Sequence, residues 1–161
     1  MNIRTGLARR SRAFSLIELV IVIVILGVIG AIAIPRMSRG AVGATESGAI
    51  SDLAIVRSAI ELYAAEHVGA FPALSTFNDQ LTLYSDIDGN TNATKTTVFK
   101  YGPYIRTIPV QKAGPNRGSA TVTGTQGTSG AGWWYTAATG DIRINAAATD
   151  TDSNGTPWVN Y

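Results

Sequence analysis

Few side chains in this 161-residue sequence have the type and spacing to do chemistry. In Asp150-Thr151-Asp152-Ser153-Asn154-Gly155 an oxygen donor stands at every second position, and a glycine follows. Donors so spaced, with Gly for the turn, form the first half of a calcium-binding loop. Asp150, Asp152 and Asn154 are therefore candidate calcium ligands, and Asp86, Asp88 and Asn90 make a weaker second set. The bidentate glutamate that completes an EF-hand would fall at position 161, which is Tyr161, so this is not an EF-hand. A solvated acidic turn is the competing reading. Nucleophilic chemistry is poorly supplied. Without cysteine there is no thiolate ligand, disulfide or cysteine nucleophile. His67 is the single histidine, which excludes a two-histidine metal motif and leaves the many Ser and Thr residues without a base. Asn92-Ala93-Thr94 and Asn154-Gly155-Thr156 are glycosylation-type triplets of a kind that arises by chance. The chain is not expected to be an enzyme.

One further acid, Glu18, is notable for its surroundings. Residues 19–34 are an unbroken apolar run, and from Phe14 onward only Ser15 and Glu18 interrupt it. A membrane-spanning helix needs ~20 predominantly apolar residues. The Val and Ile content suits a strand, but the length and the lack of turn residues favour a helix. Arg4, Arg9, Arg10 and Arg12 precede the run with no acid among them, which places its N-terminal side in the cytoplasm. A cleaved secretory signal has the same order of basic and apolar regions, but its apolar part is shorter, ~7–15 residues. A carboxylate within the bilayer costs roughly 2.5–3.5 kcal/mol, so Glu18 calls for a function.

The formal charge of +2 comes from that basic leader. Beyond residue 13 the balance is 9 bases (13 − 4) against 11 acids, so no basic body capable of binding nucleic acid is present.

The stretch Arg12-Ala13-Phe14-Ser15-Leu16-Ile17-Glu18-Leu19-Val20, with the apolar run and Pro35 after it, resembles the prepilin signature of the type IV pilin-like proteins. The resemblance implies cleavage by a prepilin peptidase between Ala13 and Phe14 and methylation of the new amine of Phe14. Glu18 would then be the fifth residue of the mature chain and the charge used in filament assembly. The family usually has Gly before the cut, where this chain has Ala13. The implied partners are copies of the chain in a helical filament, the prepilin peptidase, an inner-membrane assembly platform and minor pseudopilins. The implied location is the inner membrane, with a periplasmic head. Major secretion pseudopilins hold calcium in a late loop, and the Asp150 loop is similarly late.

The elements around these residues follow from periodicity. Ile50, Leu53, Val56, Ile60, Tyr63 and Ala64 recur at helical spacing and describe one face. A single helix over residues 14–67 would be ~80 Å long. Pro35 lacks an amide hydrogen and is expected to kink or open it. Gly27 and Gly30 lie one to two turns earlier, and Gly27 with Ala31 permits close helix approach. The resemblance implies that this part melts when the subunit leaves the bilayer.

Gly69-Ala70-Phe71-Pro72 stops the helix. A short helix is expected near residues 77–83 in an otherwise loop-like region, 73–97. Strands are expected at 120–123, 133–136 and 141–145, with a Gly/Ser/Thr loop at 124–132. Trp133, Trp134, Tyr135 and Trp158 are core aromatics or the wall of a ligand groove. The expected fold is α+β and pilin-like: a long N-terminal helix packed on a small C-terminal antiparallel sheet. Its parts are a leader (1–13), a transmembrane assembly helix (14–35), an amphipathic helix (36–68) and a β-rich head (69–161). Tyr101-Gly102-Pro103-Tyr104-Ile105 and Ile108-Pro109 resemble a stretch of the type II secretion pseudopilins, and surface pilins commonly carry a disulfide that this chain cannot form. The function implied is a type II secretion pseudopilus subunit. A type IV pilus subunit for adhesion, motility or DNA uptake is the alternative, and a membrane-tethered binding domain a third.

Overall fold

A computed structural model describes residues 14–161. Helix α1 (Leu16–Glu66) is followed by a 3-10 turn (Leu74–Thr76) and α2 (Phe77–Thr82). Five short strands follow: β1 (Tyr84–Ser85), β2 (Thr91–Asn92), β3 (Val122–Thr123), β4 (Trp133–Thr136) and β5 (Asp141–Ile144), with a last 3-10 turn at Trp158–Asn160. The fold is α+β, with a long apolar helix at its N-terminal side, as expected of a pilin-like chain. Contacts divide it into two units, Met1–Gly40 and Ala41–Tyr161.

In the described part of the first unit, Leu16–Ala33 is helical with a mean hydropathy of 3.0, and none of that stretch is buried. An apolar helix at the core of a soluble domain would be covered by its own chain; this one is long enough to cross a bilayer and is left uncovered. The helical backbone runs through Gly27, Gly30 and Pro35.

The second unit is built on one stripe of α1. Ala49, Leu53, Val56, Ala59, Ile60 and Tyr63 are at most 2% exposed. Their spacings of three and four keep them on one face. Ile50, expected on that face, is 38% exposed, because the stripe runs through Ala49 and Ile50 is turned ~100° from it. The stripe packs on Trp133 and Tyr135 of β4, Ile142 and Ile144 of β5, and Phe77, Leu81, Trp158 and Val159. Alternation along β4 and β5 sends Trp133, Tyr135, Ile142 and Ile144 inward, while Trp134 and Arg143 stay only partly covered. Arg143 lies over the Trp134 ring, 5.9 Å from its centroid. Three of the four aromatics weighed for a groove are therefore core.

Helix α1 ends where Gly69 takes φ +83 and its amide bonds Ala64 O at 2.8 Å. His67, 3% exposed, stacks on Tyr63 with ring centroids 3.8 Å apart. Its Nδ1 lies 2.8 Å from Tyr63 O, and its Nε2 lies 2.9 Å from Asp86 O and 3.1 Å from Ser85 Oγ. The histidine thus joins the last turn of α1 to the β1–β2 turn.

The sheet differs from the expectation. β4 and β5 form the antiparallel hairpin, but β3 pairs with β4 in parallel, Val122 opposite Trp133 and Thr123 opposite Trp134. A parallel neighbour needs the chain to return to its starting end. The loop 124–132 makes that return because polar side chains tie it down. Buried Asn145 donates from Nδ2 to Thr128 O and Ala131 O, both at 2.8 Å, and accepts at Oδ1 from Gly127 N at 2.7 Å. A Cβ at Gly132 would lie 2.1 Å from Ser119 O, so only glycine fits there. β1 and β2 form a separate antiparallel pair, and both lie within the region read as loop.

Replacing Leu53 by Ala should lower the unfolding free energy by about 2–5 kcal/mol. Replacing Ile55, 53% exposed on the same helix, should change it by less than about 0.5 kcal/mol. Denaturant unfolding of the detergent-solubilised chain measures both, and equal effects would show that the packed face is misassigned.

Candidate functional site

The N-terminal site begins at Phe14, which is 74% exposed. Ser15 stands immediately before α1, and its carbonyl accepts hydrogen bonds from Glu18 N (3.1 Å) and Leu19 N (3.2 Å). Glu18 is thus the third residue of the helix. Ser15-Leu16-Ile17-Glu18 has the Ser-x-x-Glu spacing of a capping box, a local signal easily overlooked inside an apolar run. At that position a carboxylate faces the free amides of the first turn and the positive end of the helix dipole. The first basic residue after Glu18 is Arg36, ~27 Å further along a helix, too far to neutralise it. The expected cleavage site has only its Phe14 side here, since Ala13 and the leader arginines lie outside the described residues. A Cβ added at Gly27 or Gly30 would meet nothing within 4 Å, so within one chain these glycines leave an open helix surface.

In the late loop the acids close turns of their own backbone. Asp152 Oδ1 accepts from Asn154 N and Thr156 N, each at 2.8 Å, and Oδ2 accepts from the Tyr161 hydroxyl at 2.5 Å. The Tyr161 hydroxyl, with those amides, holds the Asp152 carboxyl below the usual carboxylate range. Asp150 Oδ2 accepts from Ala147 N at 3.0 Å, and Asn154 is exposed. An ion would have to compete with these donors. Among the described residues no three acidic or histidine side chains converge on one position. The second set behaves likewise. Asp86 accepts from Asp88 N (3.0 Å), Asn90 N (2.9 Å) and Asn90 Nδ2 (2.8 Å), and the Asn90 side chain holds its carboxyl low.

Asp150 and Asp152 border an open cleft of about 610 Å³, which Glu46, Lys112, Arg117 and Trp158 also line. Glu46 accepts from Ser153 N at 2.8 Å and from Ser153 Oγ at 2.5 Å, fastening the loop to α1. Lys112 Nζ lies 2.8 Å from Asp52 Oδ2. No spacing in the sequence joins Glu46 to Ser153, 107 positions away.

Comparison with curated proteins and with solved structures finds no match for this chain. A family model does match, described as a prokaryotic N-terminal methylation motif, over residues 8–34. That range holds the Ala13–Phe14 junction, Glu18 and the whole apolar helical span Leu16–Ala33. Motifs of this kind imply prepilin peptidase processing, membrane anchoring and assembly into a filament. Residues 8–34 thus carry a prokaryotic N-terminal methylation motif, consistent with the prepilin motif of type IV pilin-like proteins.

Proposed function

We propose that the chain is a structural subunit of a type II secretion pseudopilus. The leader is removed between Ala13 and Phe14, the Phe14 amine is methylated, and the helix waits in the inner membrane with its head in the periplasm until it joins a filament. The observation that carries this reading is the coupling of the methylation motif to an 18-residue apolar helix of which no residue is buried. Such a surface is satisfied in lipid and, after extraction, against the helices of other subunits. A cysteine-free sequence and the Tyr101–Ile105 stretch favour the secretion filament over a surface pilus.

Glu18 is the proposed register charge. In a filament the cation within its reach is the terminal amine of Phe14, from its own or an adjacent subunit. A carboxylate left unpaired in a dry interior costs several kcal/mol, so correct docking is favoured over a slipped one. The capping-box position gives Glu18 a second role inside one helix, and the two roles separate by substitution. Gln keeps the capping geometry without the charge; Leu removes both.

Mass spectrometry of the membrane fraction should find a 148-residue chain (161 − 13) that starts at Phe14 and carries one added methyl group. A mature chain starting beyond the apolar run would identify an ordinary signal peptide and end the filament reading. Glu18→Leu should be cleaved and retained in the membrane at wild-type level, yet give less than about a tenth of the wild-type filament in shear fractions, as several kcal/mol of lost pairing implies. Glu18→Gln should fall between them. Wild-type filament yield from Glu18→Leu would remove Glu18 as the register charge.

A further inference from the structure

Charge is unevenly distributed along the second unit. Between Gly89 and Asp141 the sequence has no acid, but it has Lys95, Lys100, Arg106, Lys112 and Arg117. Among the described residues only two ion pairs form, Lys112 with Asp52 and Arg143 with Asp141. Lys95, Lys100, Arg106 and Arg117 are exposed and meet no acid within their own chain.

Two of these bases belong to a shaped feature. Lys95 lies over the Tyr84 ring at 5.9 Å and Lys100 over the Tyr101 ring at 5.0 Å, contacts that limit how far each ammonium wanders. Between them Val98 is 59% exposed, and Thr96 Oγ1 fixes the turn by accepting from Val98 N and Phe99 N. The result is a basic knob with an apolar tip. The cleft at the Asp150 loop has the complementary character. Asp52 neutralises Lys112, which leaves Glu46, Asp150 and Asp152 against Arg117, with Pro115 and Trp158 as apolar wall.

The knob cannot reach its own cleft. It is anchored beside the last turn of α1, where the Tyr101 ring lies 5.3 Å from that of His67, whereas Glu46 borders the cleft. The 21 residues from Glu46 to His67 span ~30 Å of helix. We propose that the knob at Lys95, Val98 and Lys100 of one copy docks into the Glu46–Asp150–Asp152 cleft of the next. This deepens the proposed function and rests on it, by naming the surface through which heads meet. The two surfaces differ, so the contact is heterologous and propagates from copy to copy, as a filament requires.

The native chain has no cysteine, which allows a direct test. Val98→Cys and Thr149→Cys place thiols at two exposed positions, one on the knob and one on the cleft rim. In full-length protein in membranes, oxidation of the double variant should give a ladder of dimers, trimers and longer species, and each single variant should stop at dimers. Adding Lys95→Glu with Lys100→Glu should weaken the ladder by about ten-fold or more, and Glu46→Lys with Asp150→Lys should restore it. Filament yield is scored in the same samples. A ladder without filaments would support the docking and sink the pseudopilus reading. No ladder, or dimers alone from the double variant, would overturn the docking whether or not filaments are present. A ladder unchanged by the lysine reversals would overturn it too.

Discussion

The 41–161 unit depends on one interface, the stripe of α1 from Ala49 to Tyr63 buried against the inner face of β4 and β5. Trp133, Ile142 and Ile144 have no exposed surface, and Tyr135 has 1%; all four belong to the cluster that the helix stripe closes. β4 and β5 have four residues each and β3 has two, too few for a sheet to stand alone. Tyr135 shows how closely the parts are fitted. Its ring packs on Phe77 at 4.5 Å, and its hydroxyl donates to Pro72 O at 2.8 Å, just after the helix stop. Burial, with a smaller contribution from Tyr63, pushes its pKa up, so the hydroxyl remains a donor across the ordinary pH range.

With so little strand, much of the chain is loop whose backbone groups need partners other than a ladder. Side chains supply them. Asn145 holds the 124–132 return, Asp152 closes 152–156, Asp86 closes 86–90, and Gln80 bridges Ala73 N and Gly89 O. Among the candidate calcium ligands, Asp152 and Asp86 also close short turns that have no ladder to hold them. The same alternating Asp and Asn serve either purpose, and the difference lies in where each carboxylate points.

In the proposed filament Glu18 would meet a local and an intermolecular requirement at once. Within one helix its place in the first turn is favourable, facing the helix dipole and three positions after Ser15. Within lipid or a packed bundle its charge is costly unless matched. A residue comfortable in its own turn and uncomfortable in its surroundings is suited to bias assembly, because docking removes the discomfort without remodelling the helix.

The sequence by itself determined what depends on near neighbours: the apolar run, its basic leader, the acid at its start, the stop at Gly69, and the approximate bounds of β4 and β5. These follow from periods of 3.6 and 2 and from the transfer of side chains out of water, and they need no knowledge of the rest of the fold. Only the tertiary structure decided that Ala49 rather than Ile50 lies on the packed stripe, because a one-residue change in helix phase is set by the partner surface. It also decided that β3 runs parallel to β4, which required Asn145 to hold a loop many positions before it, and that Glu46 fastens Ser153. Such pairings join residues far apart along the chain. A polar side chain has the same composition whether it meets water, an ion or a distant amide, and only the folded backbone selects among them.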